Sequence, residues 1–394
     1  MTYELRRLGV EDLPAAWEMS RLAFGGEDQP PAAWLTDRPG RQTWGAFDGA
    51  GRLVAKAMDR EQGHWFGGRL VPASGIAGVA VVPELRGAGL ARQVLTRLLH
   101  SARERGAAIS TLFRTTPVPY RRLGWEQVGS LSWTALPAAS LAALRKPEQM
   151  TLRPARAADV PAVLEVYRSL ARSGNGLMER SAPLFDTSAE AVIAGHDGFT
   201  LAVGPEGHVD GYASWDRGPG YDSSGRLSVP DLIGLTAPAT TALLAMLASW
   251  ASVTPTLHLR LPEADPVRLQ AAMTGARIES DNPWMIRLLD APAAVAARGW
   301  PSHLDGSVDI VVLDDECPWN AGPHRLTVSC GSGRLEPGGR GNVRFTSRGI
   351  AAWYTGAGGS AVLRRAGLLD GDDSRDGFLE SLTGGPAPAL LDYF

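Results

Sequence analysis

Residues 75–126 decide the fold of this chain. They begin with the apolar run IAGVAVV (residues 76–82), pass through RGAGLA (residues 86–91) and end at YRRLGWE (residues 120–126). An unbroken run of small apolar residues is typical of a strand buried on both faces. The apolar spacing that follows predicts an amphipathic helix, and Gly106 is a natural residue to end it. The order is therefore strand, glycine-rich turn, helix and, over residues 109–113, a second strand.

The turn at residues 86–91 is suited to binding an anion. Free backbone N–H groups meet there at the positive end of a helix dipole. A P-loop needs Gly-Lys-Ser/Thr after its glycines, but Leu90 and Ala91 stand there, and a dinucleotide fingerprint needs a third glycine where Arg92 stands. The remaining pattern is Arg/Gln-x-x-Gly-x-Gly/Ala, the coenzyme A loop of the GNAT acetyltransferases, which residues 86–91 match at every specified position.

The segment after the second strand extends this resemblance. Residues 120–125 resemble the aromatic-x-x-x-Gly-aromatic segment of GNAT enzymes, and the whole chain resembles the Eis (enhanced intracellular survival) acetyltransferases, down to its aromatic last residue, Phe394. The resemblance implies an α+β fold: two tandem GNAT-like domains, the second degenerate, followed by a sterol-carrier-protein-like domain. It also implies adjacent strands that splay apart to admit acetyl-CoA.

A weak internal repeat supports two related domains. Leu5-Arg6 followed by DLPA (residues 12–15) recurs as Leu152-Arg153 followed by DVPA (residues 159–162). Both copies predict a short strand, an acidic N-cap, proline in the first turn and a helix. We expect a catalytic domain at residues 1–146, a degenerate GNAT-like domain at 147–290 and the sterol-carrier-like domain at 291–394. Residues 232–238 lack an arginine–glycine turn, so we expect one acetyl-CoA site per chain.

Composition excludes several partners. A formal net charge of −3 gives no overall basic field for nucleic acid or an anionic membrane. The first 14 residues do not resemble a signal peptide, and no stretch approaches a membrane span, so we expect a cytoplasmic protein. The two cysteines, Cys317 and Cys330, have no ligand-spaced neighbours, so we expect two small buried thiols and no metal.

Attack of a neutral amine on a thioester needs an oriented carbonyl, help for the oxyanion and a proton for the leaving thiolate. The first strand offers backbone N–H and C=O groups to the pantetheine arm, and one N–H polarises the thioester carbonyl. The turn holds the pyrophosphate, and two threonines flank the cofactor at the end of the next strand. The predicted cofactor contacts are Val79, Ala80, Val81, Gly87, Ala88, Gly89, Leu90, Ala91, Arg92, Thr115 and Thr116.

Two residues are candidates for the proton transfers. Tyr120 carries a phenol that is able to protonate a thiolate, although packing beside Trp125 also explains an aromatic residue there. The apolar tail PALLDYF (residues 388–394) predicts a docked chain end rather than a frayed one. In the Eis family the tyrosine at the position of Tyr120 is the general acid and the terminal carboxylate, here that of Phe394, is the general base.

The acceptor is less well defined by sequence. Anionic, aromatic-lined pockets suit polyamines, and Phe24, Glu27, Asp28, Trp34 and Asp392 are the candidate contacts. The resemblance implies acetylation of aminoglycoside amines at several positions, hence antibiotic resistance, and a homohexamer. Acetylation of lysines in proteins or peptides, or binding of an apolar ligand by the last domain, remain the alternatives.

Overall fold

The computed structural model describes residues 2–181, 183–222 and 224–394. Seventeen strands lie within them: β1 Glu4–Arg7, β2 Arg41–Phe47, β3 Leu53–Phe66, β4 Arg69–Val81, β5 Ile109–Phe113, β6 Glu126–Pro137, β7 Thr151–Pro154, β8 Gly198–Val203, β9 Val209–Arg217, β10 Arg226–Gly234, β11 Thr256–Arg260, β12 Arg277–Leu288, β13 Gly306–Leu313, β14 Gly322–Ser329, β15 Ser332–Pro337, β16 Val343–Thr346 and β17 Leu369–Gly371. The α-helices of the same residues are α1 Leu13–Phe24, α2 Leu90–Glu104, α3 Pro117–Arg122, α4 Val160–Ser173, α5 Ala237–Ala248, α6 Val267–Gln270, α7 Ala291–Ala297, α8 Ser347–Thr355, α9 Ser360–Arg365 and α10 Asp376–Thr383.

The first two predicted domains share one sheet. Its twelve strands run in the order β1-β2-β3-β4-β5-β12-β6-β11-β10-β9-β8-β7. Strand β12, from the second half of the chain, pairs antiparallel with β5 on one side and β6 on the other, while β6 continues to β11. Strand β12 therefore extends the part of the sheet formed by β1–β5, and β6 extends the part formed by β7–β11. The two halves of the chain have exchanged a strand, and neither part of the sheet is complete without the other.

The internal repeat is a structural repeat. Strand β1 leads to α1 and β7 to α4, each helix with proline in its first turn, as the sequence predicts. Asp12 and Asp159 are the N-cap residues of α1 and α4, as the sequence predicts, but their carboxylates bind elsewhere. Asp12 binds the guanidinium of Arg6 at 2.6 Å and Asp159 binds Arg153 at 2.7 Å, and neither carboxylate caps its helix. The repeated Arg–Asp pair thus ties each strand to the helix that follows it.

Helices α1 and α2 cover opposite faces of the first half of the sheet. The apolar side of α2 packs on Val54, Ala57 and Leu112, as its spacing predicts. Helix α1 packs on Leu53 and Ala80. The two sets of residues belong to separate buried clusters, one under each helix.

The third domain is a five-stranded sheet in the order β15-β14-β13-β16-β17 with helices packed against it. Helix α8 is almost wholly buried within this domain. Arg287 on β12 is fully buried and pairs with Asp314 at 2.6 Å, which joins the two sheets. Cys317 is buried as expected, but Cys330 is exposed, so that part of the expectation is wrong. No described helix is long and apolar enough to cross a membrane.

Candidate active site

Strands β4 and β5 separate in the middle of the sheet. They pair in parallel from Ala73 and Ile109 to Ile76 and Leu112, where the pairing ends. Strand β4 continues along β3 as far as Val81. Its residues are buried from Ala73 to Ile76 and become partly exposed from residue 77 to residue 79. The edge of β4 that faces β5 is therefore open over residues 77–81, and this opening is the split predicted from the sequence.

A glycine bulge shapes the edge of the split. Lys56 pairs with Ala80 and Met58 with Ala77, so one β3 residue stands opposite Gly78 and Val79. Gly78 has φ +57°, a conformation that suits glycine at a bulge. Because Val82 donates to the carbonyl of Val54, alternate β4 residues turn their N–H groups toward β3. Val79 and Val81 turn theirs the other way, into the split.

The glycine-rich turn lies beyond β4, at the start of α2. Gly87 and Gly89 have φ +86° and +79°, and Gly89 is the N-cap of α2. A Cβ at either glycine would meet nothing within 4 Å, so the turn is open on this side. The N–H of Ala88 donates to Leu85, in contrast to the expected free donor. The N–H groups of Gly87, Gly89 and the first helical residues point outward without such a partner among the described residues, which suits an anion.

Two arginines flank this turn. Arg86 is exposed and donates weakly to the carbonyl of Val81 at 3.4 Å. The side chain of Arg92 is 70% exposed and pairs with Glu316 of the third domain at 2.8 Å. The third domain therefore supports the outer side of the turn. Thr115 and Thr116, between β5 and α3, are exposed, and the side chain of Thr116 does not cap α3.

Tyr120 lies on the α2 side of the split. It is 9% exposed, packs with Leu112 and the apolar side of α2, and meets Trp125 edge-on at 6.2 Å between ring centroids. Its hydroxyl has no hydrogen-bond partner among the described residues. Burial raises the pKa of Tyr120 above its ordinary value, so the phenol stays protonated through neutral pH. Both the packing and the donor interpretation fit this position.

Phe394 reaches the same strand from the opposite face. Its ring centroid lies 5.0 Å from that of Phe113, and the side chain is 6% exposed. The ring of Tyr393 also stacks on the ring of Phe113, at 4.5 Å between centroids. Phe113 follows Leu112, so its side chain points to the α1 face. The docked chain end that the sequence predicts is therefore present.

The tail is fixed in place by a buried ionic cluster. Arg180 binds Asp392 at 3.0 Å and forms a second ion pair with Asp231 of β10. The hydroxyl of Tyr167 on α4 also donates to Asp392 at 3.0 Å. Burial acts to raise the pKa of Asp231, but the guanidinium of Arg180 outweighs it and keeps that pKa below its usual value. The charge of Asp392 is thus already paired within the chain.

His64 lies beside Phe394 and carries an imidazole, a group that often takes part in acid–base catalysis. It is fully buried and stacks at 5.5 Å on Trp284, with Phe394 edge-on at 6.2 Å. Its Nδ1 contacts the carbonyl of Gly176 at 2.6 Å and its Nε2 the amide of Gln62 at 3.0 Å. Burial lowers its pKa to about 4. Both ring nitrogens are engaged, so His64 has no free position to accept a proton from a substrate.

The acceptor candidates fall into two groups. Phe24 ends α1 and is 53% exposed, and Glu27 and Asp28 follow it on the same exposed loop. Trp34 packs edge-on against Trp17 of α1 at 5.2 Å. These residues lie on or after the C-terminal end of α1, whereas Asp392 belongs to the ionic cluster around Arg180. Sequence reasoning missed Arg180, Phe113 and Lys56, which no local pattern marks.

The second half has a strand separation without an anion-binding turn. Strands β10 and β11 pair only up to Val229 and Leu259. The helix that follows, α5, is capped by the side chain of Thr236, which accepts from the N–H of Ala239. The start of α5 thus has an acceptor within the chain for one of its N–H groups, and one cofactor site per chain stays a prediction. A cavity of about 530 Å³ lies on the α4 side, lined in part by Trp133 and the ionic cluster.

A parallel-strand split with a glycine-rich helix start at its mouth defines the class of coenzyme A-dependent N-acyltransferases. Family models agree with each part of the fold. Residues 4–128 and residues 176–288 each match a model of the acetyltransferase (GNAT) domain, and residues 291–390 match a sterol carrier protein domain. The chain therefore has two GNAT domains and a sterol-carrier-like domain, as the sequence predicts.

The crystal structure of a GCN5-related N-acetyltransferase from Kribbella flavida is 32% identical, covers 100% of this chain and 99% of its own, and has a TM-score of 0.85. An uncharacterized N-acetyltransferase of Streptomyces coelicolor is 29% identical over 317 residues, which is 77% of this chain and 76% of the relative. This chain belongs to the GCN5-related N-acetyltransferases. Eis1 from Mycobacterium abscessus, 23% identical with a TM-score of 0.79 over 99% of this chain and 100% of its own, has the same fold.

Proposed function

We propose that this N-acetyltransferase transfers the acetyl group of acetyl-CoA directly to amines of aminoglycoside-like polyamines, at several positions. In this proposal Tyr120 is the general acid and the terminal carboxylate of Phe394 is the general base. The observation that carries it is that both residues lie near the end of one strand. Tyr120 belongs to the same buried cluster as Leu112, and the ring of Phe394 lies 5.0 Å from that of the next residue, Phe113.

This arrangement separates the two proton transfers. The cofactor enters from the α2 side, where the glycine-rich turn and Tyr120 lie, and the amine approaches from the α1 side, where the chain ends. The amine nitrogen bonds to the thioester carbon and gives its proton to the carboxylate, directly or through a water. The C–S bond then breaks, and the phenol protonates the departing thiolate.

The geometry of the split supports the proposed cofactor contacts. The N–H groups of Val79 and Val81 face the opening, so one polarises the thioester carbonyl and the other binds the pantetheine arm, with Ala80 between them. The start of α2, residues 87–92, holds the pyrophosphate. Thr115 and Thr116 border the other side of the split. The side chain of Arg92, although paired with Glu316, is exposed enough to contribute its charge.

The choice of a polyamine acceptor rests on the loop after α1 and on the resemblance to the Eis acetyltransferases. Glu27 and Asp28 are exposed and follow Phe24 in the loop after α1, and Asp28 also pairs with Arg21 at 3.4 Å. Trp34 supports the loop through Trp17. Anionic and aromatic groups together suit cationic amines. Lysine side chains of proteins or peptides have the same chemistry and are the alternative acceptor.

A thiol-release assay with acetyl-CoA against aminoglycosides, linear polyamines and lysine peptides distinguishes the two acceptors. We expect the highest kcat/KM with aminoglycosides and more than one acetylated product by mass spectrometry. A higher kcat/KM for lysine peptides would replace the polyamine proposal by the peptide one. Glu27→Gln/Asp28→Asn should raise KM for the aminoglycoside while leaving KM for acetyl-CoA unchanged.

We also propose a homohexameric assembly and a cytoplasmic location, which the Eis resemblance implies. Light scattering coupled to size exclusion tests the first: six copies of a 41.8 kDa chain give a mass near 250 kDa, and a monomer or dimer would contradict it. Fractionation of the native host tests the second.

A further inference from the structure

Lys56 is a buried lysine beside the split that none of the proposed steps uses. It is 1% exposed, and its Nζ donates to the carbonyl of Gly78 at 3.2 Å. It forms no ion pair with any described residue. A lysine this deeply buried is rare unless it is paired. Within the described part of the chain, its hydrogen bond is to the bulge at the edge of the split.

The contact lies on one side of a peptide group whose other side faces the cofactor. No described peptide bond is cis, so the carbonyl of Gly78 and the N–H of Val79 point in opposite directions. The carbonyl points to Lys56, and the N–H points into the split. An ammonium bound to a carbonyl withdraws electron density from the peptide and makes its N–H a stronger donor.

We propose that Lys56 is a positioning residue that holds and polarises the Gly78–Val79 peptide, so that the N–H of Val79 stabilises the oxyanion formed from the thioester. The inference rests on acetyl transfer in this split but not on the roles of Tyr120 or Phe394. Lys56 acts through the peptide and does not contact the acetyl group. Deleting the terminal residue and replacing Lys56 therefore test separate steps.

The surroundings leave the charge of Lys56 isolated. Burial lowers its pKa to about 8. Its neighbours across the adjacent strands, Gly45 on β2 and Ala80 on β4, do not titrate. On α1, which covers this face, Glu18 and Arg21 pair with each other at 2.7 Å. The ammonium is present below about pH 8 and is lost above it, so the polarisation weakens as pH rises.

The sharpest test reads the carbonyl itself. Enzyme is saturated with acetyl-CoA labelled with carbon-13 at the carbonyl, without acceptor, and the resonance is compared between wild type and Lys56→Met. We expect a downfield shift on binding to wild type and a smaller one in the variant. Lys146→Met is the matched control, because Lys146 is exposed and also donates to a backbone carbonyl, that of Met150, at 2.7 Å.

Kinetics give the second readout. Lys56→Met should lower kcat about tenfold, less than the ~10²–10³-fold loss on removing an oxyanion donor, because the N–H of Val79 remains. KM for acetyl-CoA should change less than twofold. The wild-type kcat profile should fall above about pH 8, and the variant should lack that fall. Tm at pH 7 should not decrease, because replacing the lysine removes a buried charge.

An unchanged carbon-13 shift or an unchanged kcat in Lys56→Met would overturn the proposal. A kcat loss accompanied by an equal loss of acetyl-CoA affinity would overturn it as well, since that result assigns Lys56 a purely structural role. Lys56→Arg keeps the charge and should recover part of the shift if the larger side chain is accommodated. Its Tm reports whether it is.

Discussion

Tyr120 and Phe394 approach the end of β5 from opposite faces of one sheet, through the consecutive residues Leu112 and Phe113. In the proposed mechanism, a thioester in the split has the phenol of Tyr120 on one face of the sheet and the chain end on the other. The sheet then separates the two proposed proton transfers.

The first prediction concerns the chain end. Deletion of Phe394 should reduce kcat at least ~10²-fold, the scale of a lost general base, because the next carboxylate is one residue short of the split. The dissociation constant for acetyl-CoA, measured by calorimetry, should change less than twofold. A C-terminal tag should have the same effect. A tagged enzyme with full activity would rule out the carboxylate as the base.

The second prediction concerns the acid. Tyr120→Phe should lower kcat by ~10²-fold or more with little effect on Tm, because the hydroxyl has no described partner to lose. Tyr221→Phe is the control, since Tyr221 is 84% exposed and lies between β9 and β10. Equal kcat values in wild type and Tyr120→Phe would leave Tyr120 as a packing residue beside Trp125.

The third prediction concerns the ionic cluster. Arg180→Met leaves Asp231 and Asp392 buried without their cation, which should cost about 3–5 kcal/mol of unfolding free energy. In wild type the lowered pKa of Asp231 gives stability that is complete above the unfolded pKa near 4 and is lost as pH falls through the folded value. Thermal melts between pH 3 and 7 should show a shallower acid-side loss in the variant, and its kcat should fall because the tail is no longer held. Parallel melting curves would contradict the assignment.

The fourth prediction concerns the glycine-rich turn. Gly89→Ala forces an alanine to φ +79°, which costs about 1–2 kcal/mol. It also disturbs the N–H groups at the start of α2, so KM for acetyl-CoA should rise. Gly51→Ala is the matched control: Gly51 has φ +76°, and a Cβ there would also meet nothing within 4 Å. Both variants should lose similar Tm, and only Gly89→Ala should change KM.

Local patterns predict the first half well because its signals are short-range. The apolar run of β4, the turn, α2 and the aromatic segment lie within about fifty residues, and each keeps the predicted structure. Periodicity and turn composition act over such distances. The three domains follow from the same patterns and from the family resemblance.

The exchanged strand and the tail anchor could not be predicted in the same way. Strand β12 is an ordinary apolar strand in sequence, and only the sheet shows that it lies between β5 and β6. Arg180 and Asp392 are separated by 212 positions, so no window contains both. Asp12 occupies the predicted N-cap position, but its carboxylate binds Arg6, six residues earlier, and makes no capping hydrogen bond. Long-range pairing decided the first two of these cases.

The exchanged strand sets the order in which the molecule is able to form. Strand β5 pairs on one side with β4, and its other edge is covered by residues 277–288, which are made much later. During synthesis the first part of the sheet therefore cannot close until most of the second part has been made.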